Sequence, residues 1–425
     1  NVIFAREGQP GERGVVILNA DVCRGMRREW SECSPGVVWV GHLNDENGAP
    51  GVVLAEVLEE ESNERVLPRK EHRRELWRSC GLWHLHTLSS LACCGQAQRF
   101  PPRASLLPVR ALITGMTGFV GGHLVASLLA AGWAVHGTLL TFVDETPPEG
   151  THGTPVDITD ADAMTSLIEQ VAPDAIFHLA GAASVGQSFA DPEGTWKVNV
   201  EGTRGVLEGM RRAAPHARMV IALSGEEYGR VSLDQLPVTE ETPLNPLSPY
   251  AESKAAADDL CLRYHHQHGL AVMRLRAFNQ LGPGQDPRFV LPSICKQVAD
   301  AEMAGDEVCH VKLGNIDTRR DFLDVRDVVA AYGLLIKIGD PAQTYLAGRG
   351  SSVSIRDLLE TVVSLARVPV EVESDASRIR EGEQPDLYAD PRALEDLGWA
   401  PRIPLERSIG DTLDYWRERA HMEVD

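Results

Sequence analysis

What the chain lacks narrows it first. No apolar run approaches the roughly 18 residues that a membrane-spanning helix needs, so no membrane segment is expected. Positive charge is not in surplus. The net charge is −20, nearly all of it beyond residue 108, which makes the chain a poor partner for nucleic acid. None of the eight cysteines stands in a CxxC pair, and His265, His266 and His268 have no cysteine or carboxylate at ligand spacing, so no metal site is expected. Internal repeats and low-complexity tracts are also missing, which excludes solenoid and fibrous architectures. Cys261, Cys295 and Cys309 are scattered, as fits a reducing cytoplasm.

What remains is a 425-residue chain, 43% hydrophobic and 24% charged, long enough for two or three domains. Residues 1–108 hold half of the tryptophans and a single lysine, Lys70, and show no sustained period. Short strands fit around Val15–Leu18 and Gly51–Ala55, and a charged helix fits Glu56–Arg78. This part is expected to be a poorly ordered extension, the alternative being an appended regulatory or oligomerisation domain, with a linker over Arg99–Pro108. From residue 109 strands and helices alternate. Strands are expected at Val109–Ile113, Trp133–Leu140, Pro173–Ala180, Arg218–Ser224 and Leu270–Arg276, with helices at Asp160–Val171, Asp191–Ala214 and Ser248–His268. That rhythm predicts an α/β fold, a Rossmann-type doubly wound parallel sheet over 109–280 covered on both faces. Beyond it, helices from Phe289, Asp324, Ser354 and Leu405 and short strands at Thr344–Ala347 and Val368–Val372 predict a smaller mixed lobe over 281–425. It would close on the sheet's carboxyl edge.

The first strand runs into Gly115-Met-Thr117-Gly118-Phe119-Val120-Gly121 and then a helix. Strand, glycine turn and helix together form the setting of a dinucleotide fingerprint. Gly115 can take the backbone angles of the tight turn, Gly118 leaves room for a pyrophosphate, and Gly121 lets the helix lie close to the sheet. The free N–H groups at the helix start favour phosphate. The bland alternative is an ordinary turn between strand and helix.

Tyr250 and Lys254 lie four apart and share a helix face. An ammonium beside the phenol is expected to lower its pKa and make it a usable acid or base at a sugar carbonyl. Such a pair alone is often only a solvated helix pair. Here Ser224 ends the preceding strand, at the edge where catalytic side chains collect. His178 reads as a satisfied core histidine, and Trp196 and Trp416 read as core.

These motifs, with Asp157-Ile158, His178–Ala182, Asn199, Leu223–Gly229 and Arg320-Asp-Phe322, make residues 109–420 resemble the extended short-chain dehydrogenases/reductases of the nucleotide-sugar epimerase/dehydratase group. The resemblance implies a catalytic set of Ser224, Tyr250 and Lys254 with Glu226 nearby. It also implies a cofactor site that includes Thr117, Phe119, Val120, Asp157, Ile158, Leu179, Ala180, Gly181 and Asn199, and a cytoplasmic homodimer built through the helices ending near Ala214 and Tyr264. Phe278–Gln285, Leu313–Asp327 and Ala400–Leu405 are similar to the GDP-mannose branch, its 4-keto-6-deoxymannose reductases before its 4,6-dehydratases. The substrate would then be a GDP-hexose and the product GDP-D-rhamnose.

Glu226 stands where the dehydratases carry their elimination base, so it permits dehydration. Against that reading, the segment after the second strand lacks the dehydratases' arginine, and Phe322 replaces their usual tryptophan. A reading of another class is a dinucleotide-sensing regulator without catalysis, and the intact Ser/Tyr/Lys set opposes it. For the nucleotide end, Arg320 is the candidate for the diphosphate, because a guanidinium binds phosphate bidentately. Asn279 would cap the pyrophosphate or orient the sugar, and Arg288 and Glu383 are weaker candidates. NADP(H) and NAD(H) both stay open. The second strand ends without an acid, the first being Asp144 and Glu145, which leans to NADP(H) or to tolerance of both. Yet no arginine for a 2′-phosphate is visible there.

Overall fold

The computed structural model describes residues 3–6, 14–17, 55–56, 108–375 and 384–422. The chain divides into two compact units, 1–95 and 96–425. In the first, β1 (Ile3–Arg6), β2 (Gly14–Ile17) and β3 (Ala55–Glu56) pair antiparallel in that order. Glu56 therefore lies in a strand and not at the start of a helix. The rest of the helix expected to Arg78, and the linker before Pro108, lie outside the described residues.

The second unit is built on a seven-stranded parallel sheet. Its strands are β4 (Arg110–Thr114), β5 (Ala134–Leu139), β6 (His152–Pro155), β7 (Ala175–His178), β8 (Arg218–Ser224), β9 (Ala271–Ala277) and, further on, β14 (Thr344–Ala347). Their spatial order is β6-β5-β4-β7-β8-β9-β14. The order reverses between β4 and β7, and at such a switch point a doubly wound sheet opens a crevice beyond its carboxyl edge. The expected fold class is therefore the one observed. β14, drawn from beyond residue 280, completes the sheet by pairing with β9. β6, which no strand was expected to fill, contains a glycine and a proline and sits at the sheet's far edge, where a missing N–H is tolerated.

Helices cover both faces. α1 (Phe119–Ala130) and α8 (Val325–Ile338) bury one face with Ile113, Phe177, Met273 and Tyr332. α2 (Ala161–Val171), α5 (Gly202–Ala213) and α6 (Pro249–His268) bury the other with Leu112, Ile176, Leu207 and Val272. The single helix expected over Asp191–Ala214 is interrupted. After the short α3 (Val185–Ala190), α4 (Pro192–Trp196) passes into a π-helical segment, Lys197–Glu201, before α5 resumes. The extra residue in that wide turn lets Asn199 reach inward, the usual reason such bulges persist at sites. Trp196, expected in the core, is 44% exposed at this junction, whereas Trp416 is buried.

The remaining elements form a satellite body. β10 (Asn279–Leu281) pairs with β13 (Phe322–Asp324). β11 (Cys309–Leu313) pairs with β16 (Val370–Ser374), and β12 (Arg319–Arg320) lies between β15 (Val353–Ser354) and β17 (Asp386–Leu387). α7 (Val290–Ala304), α9 (Ile355–Leu365) and α10 (Leu405–Met422) enclose its own core of Leu291, Ile294, Leu358 and Ile409.

Candidate active site

The crevice begins at the glycine turn. Gly115 has φ +73°, and a Cβ there would stand 3.0 Å from the backbone of Ala180, which follows β7 on the other side of the switch point. A Cβ on Gly121 would fall 2.2 Å from the Gly115 carbonyl oxygen, so the third glycine is required by contact with the turn itself. Gly118 is the N-cap of α1, and no side chain occupies the capping position. Thr117 and Gly118 are exposed. An open helix start with uncapped N–H groups and no side chain over the backbone fits a dinucleotide pyrophosphate. Asp157 accepts bonds from the Thr159 N–H (2.9 Å) and hydroxyl (2.8 Å), which hold its carboxylate below the ordinary range. Ile158 is buried against Gly202.

Ser224 is the last residue of β8. Its N–H donates to Glu227 Oε1 at 2.8 Å, and its Oγ accepts from the Glu226 N–H at 3.2 Å, closing a tight turn over Gly225–Tyr228. Tyr250 enters from the first turn of α6, which Ser248 caps with a bond from the Ala251 N–H at 3.1 Å. The phenol is buried, with the Ser224 hydroxyl near enough to ease its ionisation. Glu226 is half-buried beside them.

Lys254 does not bring the Tyr250 pKa down as the sequence suggested. Its Nζ donates to the Ala222 carbonyl at 2.9 Å, and burial pulls its own pKa down to about 8. Burial, together with Glu226 and Glu227, drives the Tyr250 phenol well above the ordinary tyrosine value. The expected lowering fails because an enclosed phenol loses the water that would solvate its anion, and the carboxylates of Glu226 and Glu227 add to the rise.

Asn199 uses its side chain on the chain itself. Oδ1 accepts from the Ala182 N–H at 2.8 Å, and Nδ2 donates to Ser253 Oγ at 2.8 Å. A Cβ on Gly181 would sit 2.8 Å from Asn199 Oδ1 and 3.3 Å from Lys254 Nζ, so Gly181, Asn199 and Lys254 converge on one point, with Leu179 and Ala180 leading into it. His178 is satisfied by Thr114 Oγ1 at 2.7 Å and Thr203 Oγ1 at 3.0 Å, and burial lowers its pKa to about 3.

The other sequence candidates scatter. Asn279 is half-buried at the start of β10. Arg320 is buried and donates from Nη1 to the carbonyls of Arg319 and Gln384, both at 2.8 Å. Arg288 is exposed and bonds Asp286 (2.9 Å) and Gln187 on α3 (2.6 Å). Glu383 lies outside the described residues.

The sequence also hid a buried charge cluster behind the site. Arg276 bonds Glu227 at 3.1 Å, Asp258 and the Tyr228 hydroxyl, while Arg274 holds Asp258 at 2.6 Å. Asp321, fully buried, accepts from the N–H groups of Arg349, Gly350 and Ala389 and organises the satellite loops. Adjacent acids in a turn carry no signal that only one is buried; strand arginines at 274 and 276 were the available clue.

The description of GDP-mannose 4,6-dehydratase as a family matches residues 112–412. The chain is similar to the GDP-6-deoxy-D-mannose reductase of Pseudomonas aeruginosa, at 35% identity over 317 residues, 74% of this chain and 99% of that protein. Among solved structures it resembles RMD from Pseudomonas aeruginosa complexed with NADPH (TM-score 0.65, 34% identity, 73% of this chain and 99% of that one). It also resembles the Thermus thermophilus UDP-glucose 4-epimerase in complex with NAD (TM-score 0.64, 29% identity, 73% and 99%).

Proposed function

The chain belongs to the GDP-mannose 4,6-dehydratase family, and from that premise we propose that it reduces the 4-keto group of GDP-4-keto-6-deoxy-D-mannose to give GDP-D-rhamnose. The observation that carries the reading is the enclosed Ser224–Tyr250 hydroxyl pair beside Lys254, at the crevice opened by the glycine turn. Gly115, Gly118 and Gly121 would hold an NAD(P)H pyrophosphate, with Asp157 and Ile158 at the adenine and Gly181, Asn199 and Lys254 lining the inner end. Bound there, the nicotinamide supplies the hydride for the ketone carbon. The Tyr250 phenol holds its proton at neutral pH and would pass it to the developing alkoxide. Ser224 Oγ would donate to the same oxygen, and the Lys254 ammonium would offset the phenolate that forms.

Arg320 and Asn279 would face the nucleotide and sugar, with Arg288 and Glu383 at the rim. We assign residues 109–280 to the cofactor and 281–425 to the nucleotide-sugar, and expect a cytoplasmic homodimer. The test is to supply GDP-4-keto-6-deoxymannose with reduced cofactor and follow cofactor oxidation and GDP-rhamnose formation. Glu226, half-buried two residues past Ser224, favours a second reading, GDP-mannose 4,6-dehydration. GDP-mannose alone distinguishes them: turnover without added reduced cofactor supports dehydration and refutes the reduction.

A further inference from the structure

The segment after β5 doubles back on the glycine turn. Glu145, six residues past the strand's end, is half-buried. Its Oε1 accepts from the Thr117 hydroxyl at 2.9 Å, and its Oε2 accepts from the Leu140 backbone N–H at 2.8 Å. Thr117 belongs to the fingerprint turn, and Leu140 directly follows β5. One carboxylate therefore ties the exit of the second strand to the turn that would cradle the pyrophosphate. In a dinucleotide fold an acid at the end of the second strand bonds the ribose 2′-hydroxyl, and a 2′-phosphate instead calls for an arginine; the bond from Leu140 brings Glu145 back to that strand end. Residues 140–150 contain Asp144, Glu145 and Glu149 and no lysine or arginine.

We propose that Glu145 is the residue that reads the adenosine ribose and makes this chain select NAD(H) over NADP(H). The proposal rests on the dinucleotide-binding reading of the glycine turn. It departs from the sequence, where the distance of Glu145 from the strand end leaned the other way, and from the relative solved with NADPH. A neutral ribose can bond the carboxylate through the oxygen lone pairs that Thr117 and Leu140 leave free. A 2′-phosphate brings close to two negative charges against that carboxylate, and the Leu140 N–H and the Thr117 hydroxyl are already bonded to it.

The test titrates the full chain with NADH and with NADPH and follows nicotinamide fluorescence, so that it reads binding without turnover. Glu145→Gln and Glu145→Ala are titrated alongside, with melting temperatures recorded to confirm folding. The glutamine keeps an oxygen to accept from the Leu140 N–H, and its NH2 can donate to the Thr117 hydroxyl, while the charge is removed. The wild-type chain should bind NADH at least about tenfold more tightly than NADPH. Both variants should lose most of that ratio, chiefly by binding NADPH more tightly, and raising salt should shrink the wild-type preference. Equal or tighter binding of NADPH by the wild-type chain, or variants that keep the full ratio, overturns the assignment of Glu145 and leaves the dinucleotide site standing. Failure of both nucleotides to bind the folded wild-type chain overturns the dinucleotide reading itself, and the assignment with it.

Discussion

Glu226 and Glu227 are neighbours of one chemistry with opposite surroundings. Glu226 is half-buried, whereas Glu227 has no exposed surface and burial, with Asp258 close by, pushes its pKa up to about 8 against the pull of Arg276. The folded chain thus keeps a proton that the unfolded chain releases near its ordinary value of 4.5. Stability should fall as pH rises from about 4.5 to 8, by about 1.4 kcal/mol per pH unit at most. Glu227→Gln should flatten this slope and cost little at neutral pH, since an amide oxygen still accepts from Ser224. Glu227→Ala strands that buried N–H and should cost about 1–3 kcal/mol. Urea titrations at pH 5 and pH 8 check both.

His178 has the opposite sign. Folded, it resists protonation down to about 3, while the unfolded histidine takes a proton below 6.5, so stability should be lost as pH falls through that window. His178→Asn should melt with a shallower acid slope between pH 6.5 and 4. At this scale the sequence was half legible. Spacing announced Gly115, Ser224, Tyr250 and Lys254, and polarity announced His178 as a core residue. Burial, which decides the direction of Tyr250 and separates Glu227 from Glu226, has no linear signature. Glu145 was hidden because only the fold of its loop shortens six residues to a hydrogen bond.

The elements were the most readable part, because hydrophobic period and caps are local. Ser248 before Pro249, and the run to Gly269 at φ +69°, delimit α6 as the sequence suggests. The departures have physical reasons. The π segment at Lys197–Glu201 arises from what Asn199 must reach, and β6 is an edge strand of four residues whose pairing to β5, more than its composition, makes it a strand. The glycine turn gives the prediction proper to this scale. Gly121→Ala must push α1 away from the Gly115 carbonyl, because its methyl would otherwise lie 2.2 Å from that oxygen. It should destabilise the fold by about 1–3 kcal/mol and abolish dinucleotide binding in the same fluorescence titration. Gly122→Ala, with nothing within 4 Å of its Cβ position, should do neither.

Across the whole molecule, the class of fold followed from the alternation of strands and helices, but the extent of the sheet did not. A boundary at 280 leaves out Thr344–Ala347, which completes the sheet against β9 from more than sixty residues away. A chain ended at residue 280 should therefore lack a cooperative melt, whereas one containing 96–425, the second compact unit, should keep it; calorimetry of the two fragments decides.

Arg218 makes the same point from inside. It opens β8, and its guanidinium donates to the carbonyls of Ile336 (2.7 Å), Leu335 (3.3 Å) and Gly339 where α8 ends. The far end of that same strand is Ser224. One strand is thus anchored like a ruler at its blunt end while its tip carries the hydroxyl proposed to bond the ketone oxygen. Any register error along it would be transmitted undiminished to the tip, so selection for accurate chemistry would reach a cation six residues and the whole depth of the sheet away.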